Sequence, residues 1–136
     1  MKTLTLPAHL ESLPMFQAFI EEEARAAGFQ AGRIDKIALA AEEALVNIFN
    51  YAYPEGAKGD VRVSCRDCGD GAFCVRFEDQ GRPFNMLSAE DPEIAPSVEE
   101  QGIGGLGIFF IKQMTDAVEY ERKETDNILT FKFNRK

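Results

Sequence analysis

The sequence contains little of what metal centres, redox centres and membrane segments are built from. Its 136 residues include no tryptophan, a single histidine (His9) and three cysteines. The longest apolar run, Leu106 to Ile111, is far too short to span a bilayer. The N-terminal stretch MKTLTLPAHL lacks an apolar core long enough for a signal peptide. These absences predict a cytoplasmic protein with no membrane partner.

Positive charge is also scarce. Lysine and arginine number 15 against 23 aspartates and glutamates, which gives a net charge of −8. An acidic chain repels nucleic acid and anionic lipid, so we expect neither as a direct partner. If such a chain binds a polyphosphate, a divalent cation and backbone N–H groups must offset the repulsion.

The three cysteines, Cys65, Cys68 and Cys74, lie in one short region and raise the question of a zinc site. A structural zinc ion takes four ligands, and the sequence offers no clear fourth. Cys65 belongs to an alternating strand pattern, Cys68 to the turn after it, and Cys74 to the opposite register of the next strand. Zinc is therefore disfavoured, and the odd, modest number of cysteines predicts a reducing compartment.

The length of 136 residues, with no internal repeat and no visible domain boundary, predicts a single domain over residues 1–136. The predicted order is strand, helix, helix, strand, strand, loop, helix, strand, strand. The last four strands form hairpins, so the sheet should be mixed or antiparallel, with the helices gathered on one face. The first hairpin should carry its apolar residues on one side: Val61, Val63, Cys65, Phe73, Val75 and Phe77. An irregular segment from Gln80 to Gln101 has the length of a functional lid or a disordered loop.

Four glycines fall within the stretch GIGGLG. Gly102, Gly104 and Gly107 match the dinucleotide fingerprint G-x-G-x-x-G, but that motif must follow a strand within a parallel βαβ unit. The preceding PEIAPSVEEQ has no strand pattern, and no lysine with Ser/Thr follows in the spacing of a P-loop. Two interpretations stay open: phosphate binding near a helix N-terminus, and a flexible loop that needs positive φ.

The second predicted helix is apolar on most sides, which is typical of a buried helix. Its main stripe is Ile37, Ala41, Ala44, Leu45, Ile48 and Ala52, extended by Leu39, Val46 and Phe49. Glu43, Asn47 and Asn50 form a separate polar stripe. An amide oxygen can ligate Mg²⁺, and a carboxylate one turn away can polarise a hydroxyl group aimed at a phosphate. The same stripe could instead be a solvated or purely structural face.

The stretch EDQGRPF places Asp79 at the end of a predicted strand, directly before Gly81 and Pro83. An aspartate beside a glycine at this position is commonly a turn former. It is also a suitable acceptor for the exocyclic amine of adenine, because the glycine lets a base approach the backbone.

The segments EEALVNIFNYAY, FEDQGRPF and GIGGLGIFFIKQM together resemble the three nucleotide-binding boxes of the GHKL ATPase/kinase superfamily. The resemblance covers almost the whole chain, and it is closest to the small single-domain branch of anti-sigma-factor serine/threonine kinases. It implies an α+β fold, the two-layer α/β sandwich called the Bergerat or GHKL ATP-binding fold. The implied sheet is mixed and mostly antiparallel, with three helices on one face, and residues 80–105 act as an ATP lid.

The resemblance also implies a role for each matching residue, with ATP and Mg²⁺ as cofactors. Glu43 corresponds to the catalytic base and Asn47 to the Mg²⁺ ligand. Asp79 corresponds to the acceptor of the adenine amine, with Gly81 beside the base. Asn50, close to one turn after Asn47, is expected to line the same pocket. The turn near the phosphates consists of Gly102, Gly104, Gly105 and Gly107.

Two features depart from relatives of the anti-sigma type. Tyr51 stands where many of them carry a histidine, and GIGGLG lacks the basic residue that several carry. Phosphate charge would then be stabilised by Mg²⁺ and backbone amides, and transfer could be slow or absent.

One hypothesis is a serine kinase that phosphorylates a small antagonist protein and sequesters a sigma factor. The other is an ATP-gated protein-binding module; a homodimer stays open for both. Phe109 and Phe110 are expected in the core, with a partner surface as the alternative.

Overall fold

The computed structural model describes residues 2–54, 57–83, 85 and 106–135. The chain begins with strand β1 and a short 3₁₀ helix, followed by helices α1 and α2 and the hairpin β2–β3. After the segment outside the described residues come helix α3 and the hairpin β4–β5. The elements are β1 (Lys2–Pro7), the 3₁₀ helix (Leu10–Ser12), α1 (Leu13–Ala26), α2 (Ala31–Tyr51), β2 (Asp60–Gly69), β3 (Ala72–Asp79), α3 (Leu106–Met114), β4 (Ala117–Lys123) and β5 (Asp126–Asn134). The predicted order of strands and helices is confirmed.

The five strands form one sheet in the order β1-β2-β3-β5-β4. Each pair of neighbouring strands is antiparallel, so the predicted sheet is antiparallel rather than mixed. The reason lies in the connections. The two helices between β1 and β2 each reverse the direction of the chain. Strand β2 therefore begins at the end of the sheet where β1 ends. Within the described residues, helix α3 precedes β4 and carries the chain back to the opposite end of the sheet, where β4 begins.

The three helices share one hydrophobic core with a single face of the sheet, as predicted. Phe16 and Ile20 of α1 and Ile111 of α3 are fully buried in it. The six apolar residues predicted for one side of the β2–β3 hairpin are all buried. The main stripe of α2 is also buried, whereas Leu39 keeps 43% of its surface exposed, so the predicted extension of the stripe to Leu39 is wrong. Leu39 faces outward because the sheet and its neighbouring helices cover α2 on its other sides.

The expectation that Phe109 and Phe110 belong to the core is also wrong. They are 52% and 42% exposed, and their rings contact each other edge to face at 5.8 Å. Ile111, the next residue of α3, is fully buried in the core.

A disulfide joins Cys68 and Cys74, whose Cα atoms lie 5.8 Å apart. This differs from the expectation of reduced cysteines. An irregularity in the β2–β3 register between Asp67 and Gly69 brings Cys68 within reach of Cys74 on the next strand. Cys65 remains a free thiol in the core.

Within the part of the chain that the structure describes, no helix has the length and apolarity to cross a membrane. Of the predicted lid over 80–105, residues 84 and 86–105 lie outside the described residues.

Candidate nucleotide-binding site

Asp79 is the last residue of β3 and is 97% buried, with 3% of its surface exposed. Its Oδ1 accepts two hydrogen bonds of 2.9 Å, one from the backbone N–H of Gly81 and one from Nδ2 of Asn127. Burial raises the pKa of Asp79, and the two hydrogen bonds and the charge of Arg122 only partly oppose the rise. A turn-forming bond to Gly81 was one of the two predicted interpretations, and it is present.

The second carboxylate oxygen of Asp79 is differently placed. Among the described residues, none donates a hydrogen bond to this Oδ2 atom. Oδ2 is also not one of the buried side-chain atoms that lack a partner, since among the described residues only Nε of Arg76 is such an atom. It is therefore accessible to solvent or to a ligand. Asp79 can therefore satisfy its turn with one oxygen and accept a hydrogen bond from a ligand with the other.

Gly81 lies directly against the C-terminal end of α2. A Cβ atom at this position would fall 2.1 Å from the carbonyl oxygen of Ala52, which is backbone and cannot move aside cheaply. The next residue, Arg82, donates from its backbone N–H to that same oxygen at 2.8 Å and from Nε to the carbonyl oxygen of Tyr51 at 2.7 Å. Glycine is thus required where the turn after β3 docks on α2.

Helix α2 carries the other predicted side chains toward this junction. Asn47 lies about 7.5 Å from Ala52 along the helix axis, at a rise of about 1.5 Å per residue. Asn47 is buried and Glu43 half-buried, whereas Asn50 is exposed. The structure therefore places Asn47 and Glu43 in a partly enclosed environment, while Asn50 lies at a more open position.

The carboxyl group of Glu43 has an altered acidity. Burial raises its pKa above the ordinary 4.5, and the charge of the neighbouring Glu42 raises it further. Glu42 itself accepts a hydrogen bond of 3.0 Å from Nε2 of Gln17 on α1, which fixes its position. A carboxylate with a raised pKa is a stronger base than an ordinary one, which suits proton abstraction from a hydroxyl group.

Asn127, near the start of β5, was not predicted. It is 5% exposed and pairs with Asp79 in the β3–β5 register. Its Nδ2 donates to Asp79 and also to the carbonyl oxygen of Arg82 at 2.8 Å. Its Oδ1 accepts from the hydroxyl of Tyr120 and from Nη1 of Arg122 at 3.2 Å. Asn127 thereby holds both the aspartate and the turn that follows it.

Two further side chains brace the same edge of the sheet. Arg122 donates from Nη1 to the carbonyl oxygen of Gly81 at 2.8 Å. The hydroxyl of Tyr53 donates to the carbonyl oxygen of Asp60 at 2.7 Å and accepts from the backbone N–H of Gln80 at 2.9 Å. The backbone from Asp79 to Arg82 is therefore fixed from β2, α2, β4 and β5.

The glycine cluster is only partly described. Gly102, Gly104 and Gly105 lie outside the described residues, and Gly107 is the second residue of α3. Strand β4 starts opposite Lys132, at the end of the sheet far from Asp79. Helix α3 directly precedes β4, so its C-terminal end lies near that far end. We therefore expect its N-terminal end to be directed toward the end of the sheet that carries Asp79. The phosphate-binding role of the four glycines stays a prediction.

The burial of Asp79, the close approach of Gly81 to α2, and the positions of Glu43 and Asn47 on that helix are compatible with a nucleotide-binding α+β domain. The histidine kinase-like ATPase domain family matches residues 6–133, and the chain belongs to this family. The predicted GHKL membership and α+β fold are confirmed, and membership in an ATPase family implies ATP as the nucleotide.

The curated relatives agree with this assignment. Serine-protein kinase RsbW of Listeria innocua is 27% identical over 135 residues, which cover 96% of this chain and 85% of that protein. Serine/threonine-protein kinase BtrW of Bordetella bronchiseptica is 27% identical over 94 residues, which cover 69% of this chain and 66% of that protein. The chain is therefore similar to proteins named as serine and serine/threonine kinases.

Solved structures with the same fold include the blue-light activated histidine kinase of Erythrobacter litoralis EL346. Its TM-score is 0.57 at 21% identity, and the match covers 79% of this chain. The chain corresponds to 32% of that kinase, so it spans about a third of the larger protein. At this identity the similarity supports the fold alone.

Proposed function

We propose that the protein is an ATP-dependent serine/threonine protein kinase that acts as an anti-sigma regulatory factor. It phosphorylates a small antagonist protein and controls a sigma factor by sequestering it. The observation that carries the proposal is the contact of Gly81 with the C-terminal end of α2. That contact places the buried Asp79 beside the helix on which Glu43 and Asn47 lie. The relatives named as serine-protein kinases support the same reaction.

Adenine recognition is assigned to Asp79. Its Oδ2 accepts a hydrogen bond from the exocyclic amine, while Oδ1 stays engaged by Gly81 and Asn127. Gly81 is assigned to lie beside the base, and its lack of a side chain lets the turn that follows Asp79 dock on Ala52. Asn127 does not touch the nucleotide in this scheme; it positions Asp79. A carboxylate that must accept one defined donor discriminates against bases that lack an amine there.

The chemical step is assigned to α2. Glu43 accepts the proton of the acceptor serine or threonine hydroxyl as that oxygen attacks the terminal phosphate, and the bond from this phosphorus to the bridging oxygen breaks, which releases ADP. Asn47 would hold Mg²⁺ through its side-chain oxygen, a hard ligand that this cation prefers. When bound, Mg²⁺ neutralises phosphate charge. Asn50, at its exposed position, would contact the outer part of the same pocket.

The remaining parts of the proposal concern the lid and the partners. Residues 1–136 form one domain in which 80–105 close over the nucleotide, and Gly102, Gly104, Gly105 and Gly107 supply backbone N–H groups to the phosphates. The protein acts in the cytoplasm on protein partners, either alone or as a homodimer. Its net charge of −8 disfavours direct contact with nucleic acid.

A second function is favoured by the composition of the glycine cluster. GIGGLG carries no basic residue, so no side chain within it stabilises charge on the transferred phosphate. The alternative is therefore a binding module in which ATP sets the conformation of the lid and no phosphate is transferred.

The experiment that separates the two functions uses radiolabelled ATP and an extract of the cells that make the protein. Wild type and Glu43→Gln are each added, and labelled proteins are identified by mass spectrometry. The kinase proposal expects a phosphoserine or phosphothreonine on one small protein with wild type and no label with the variant. Equal ATP binding by both proteins without any wild-type-dependent label would favour the binding module.

A further inference from the structure

The disulfide between Cys68 and Cys74 lies at the end of the β2–β3 hairpin that is far from the candidate nucleotide site. Cys74 and Asp79 are both in β3, five residues and therefore about 17 Å apart at the rise of an extended strand. The six-residue separation of the two cysteines closes the end of the β2–β3 hairpin. Nothing in the proposed phosphoryl transfer uses this pair.

The cross-strand neighbours of Cys74 are both cationic. Arg66 pairs with Cys74 in the β2–β3 register, and Lys132 pairs with it in the β3–β5 register. Direct cross-strand partners have Cβ atoms about 5 Å apart. Both cations are exposed and lie on the sheet face that the helices leave uncovered. Arg76, two residues further along β3 on the same face, is paired with Glu78 at 3.4 Å.

We propose that Cys68–Cys74 is a thiol–disulfide exchange site for small-molecule thiols and disulfides, in which Arg66 and Lys132 stabilise the departing thiolate of Cys74. A cationic neighbourhood favours the thiolate form of cysteine, and a better-stabilised thiolate leaves faster. The proposal is independent of the nucleotide site.

The unequal exposure of the two cysteine residues indicates which one is attacked. Cys68 is partly exposed, whereas Cys74 retains 6% of its surface. An external thiolate attacks Sγ of Cys68, the Cys68–Cys74 bond breaks, and its electron pair stays on Sγ of Cys74. Cys68 is then joined to the first external thiol in a mixed disulfide. A second external thiolate attacks the sulfur atom of that first thiol, and the Cys68 thiolate is released. Two small thiols supply the two electrons and become one disulfide, and an oxidised small disulfide reverses the sequence.

The bond also supports a set of contacts around the hairpin. Asp67 accepts a hydrogen bond of 2.8 Å from the backbone N–H of Gly69 and one of 3.1 Å from Nη2 of Arg135. Arg135 in turn donates from Nε to the carbonyl oxygen of Ala27 at 2.8 Å. Reduction releases the end of the hairpin from this covalent constraint, so backbone amides of residues 67–74 should exchange hydrogen faster.

The remaining cysteine provides an internal reference. Cys65 is 2% exposed, and burial raises the pKa of its thiol to about 12. It should therefore resist alkylation in the folded protein whatever the state of the other two.

The first test is alkylation of the full chain after incubation with oxidised or reduced glutathione, read by peptide mass spectrometry after denaturation. The proposal expects that Cys68 and Cys74 are protected from alkylation after incubation with oxidised glutathione. After incubation with reduced glutathione, both should be alkylated. Labelling of both cysteines after the oxidised form would overturn it.

Rates then test the assigned roles. Arg66→Gln with Lys132→Gln should slow reduction by glutathione about two- to tenfold, whereas Lys36→Gln with Lys123→Gln removes the same charge elsewhere and should leave the rate unchanged. Equal rates in the two double variants would overturn the role of the cations. With oxidised glutathione, Cys74→Ser should capture one glutathione on Cys68 faster than Cys68→Ser captures it on Cys74. The reverse order would overturn the assignment of Cys68 as the attacked residue.

Discussion

The side-chain amide of Asn127 donates a hydrogen bond of 2.9 Å to Oδ1 of Asp79 across the β3–β5 pair. The two residues are 48 positions apart in the chain and both are buried. Because Asn127 also donates to the carbonyl oxygen of Arg82, one amide fixes both the aspartate and the turn beside it. The position of the candidate adenine acceptor thus depends on a residue from the last strand.

We expect Asn127→Ala to lower both stability and nucleotide affinity. Loss of the amide removes one of the two donors to the buried Asp79 carboxylate and the side-chain donor to the carbonyl oxygen of Arg82, which costs about 1–3 kcal/mol in the free energy of unfolding. The freed Asp79 should bind ATP about tenfold more weakly, a change equivalent to about 1.4 kcal/mol. Urea denaturation and calorimetric titration measure the two effects. Asn134→Ala, an exposed position on the same strand, is the control, and unchanged ATP affinity in Asn127→Ala would refute the positioning role.

Gly81→Ala tests the docking of the turn on α2. The added methyl group meets the carbonyl oxygen of Ala52 at 2.1 Å, so the turn must shift. We expect a loss of about 1–3 kcal/mol in the free energy of unfolding, as for other overpacked sites. Gly32→Ala is the matched control, because its Cβ meets nothing within 4 Å and it lies in the first turn of α2. That substitution should gain about 0.5–1 kcal/mol. Similar effects of the two substitutions would contradict the close approach.

Asp79→Asn tests whether the carboxyl group of Asp79 has a raised pKa in the folded protein, through the pH dependence of stability. Burial raises the pKa of Asp79, so its favourable contribution to stability is complete below the ordinary value of 3.8 and is lost as pH rises through the raised value. The asparagine does not titrate and can still accept from Gly81 and Asn127. From about pH 4 upward, the variant should therefore lose less stability than wild type. Thermal or urea unfolding from pH 4 to 7 measures this difference, and parallel curves would show that Asp79 does not titrate with a raised pKa.

The pH dependence of phosphoryl transfer tests the role of Glu43. A general base works in its ionised form, so kcat/KM should fall as pH drops through the raised pKa of Glu43. Glu42→Gln removes the neighbouring charge and should move this acid limb to lower pH, while its amide oxygen can keep the bond from Gln17. Glu43→Gln should abolish transfer and leave ATP binding intact. An acid limb that Glu42→Gln does not move would argue against Glu43 as the titrating base.

The fold was largely predictable because strand and helix periodicities are local properties of the chain. Alternation over β2 and β3 indicated the buried side of the hairpin, whose six apolar residues are all buried. The direction of β1 and the exposure of Leu39 were not local. The direction of β1 relative to β2 depends on the two helices that connect these strands. The exposure of Leu39 depends on which side of α2 the sheet and the neighbouring helices leave uncovered.

The candidate site was predictable where its residues cluster in sequence. Glu43 and Asn47 share a helix face, and Asp79 and Gly81 share a turn. Asn127 could not be found in this way, because only the β3–β5 register reveals that it faces Asp79. A polar residue at an inward position near the start of an apolar strand was the one available signal. The bond between Cys68 and Cys74 likewise depends on an irregular register that spacing does not encode.

The most direct test of the central claim is calorimetric titration of ATP and ADP, with and without Mg²⁺, into wild type, Asp79→Asn and Asn47→Ala. The proposed site predicts that wild type binds ATP and that Mg²⁺ strengthens the binding. It predicts that Asp79→Asn loses affinity for both nucleotides and that Asn47→Ala loses mainly the effect of Mg²⁺. A folded wild-type protein that binds no adenine nucleotide, or that binds it equally well in Asp79→Asn, would contradict the assignment of this site.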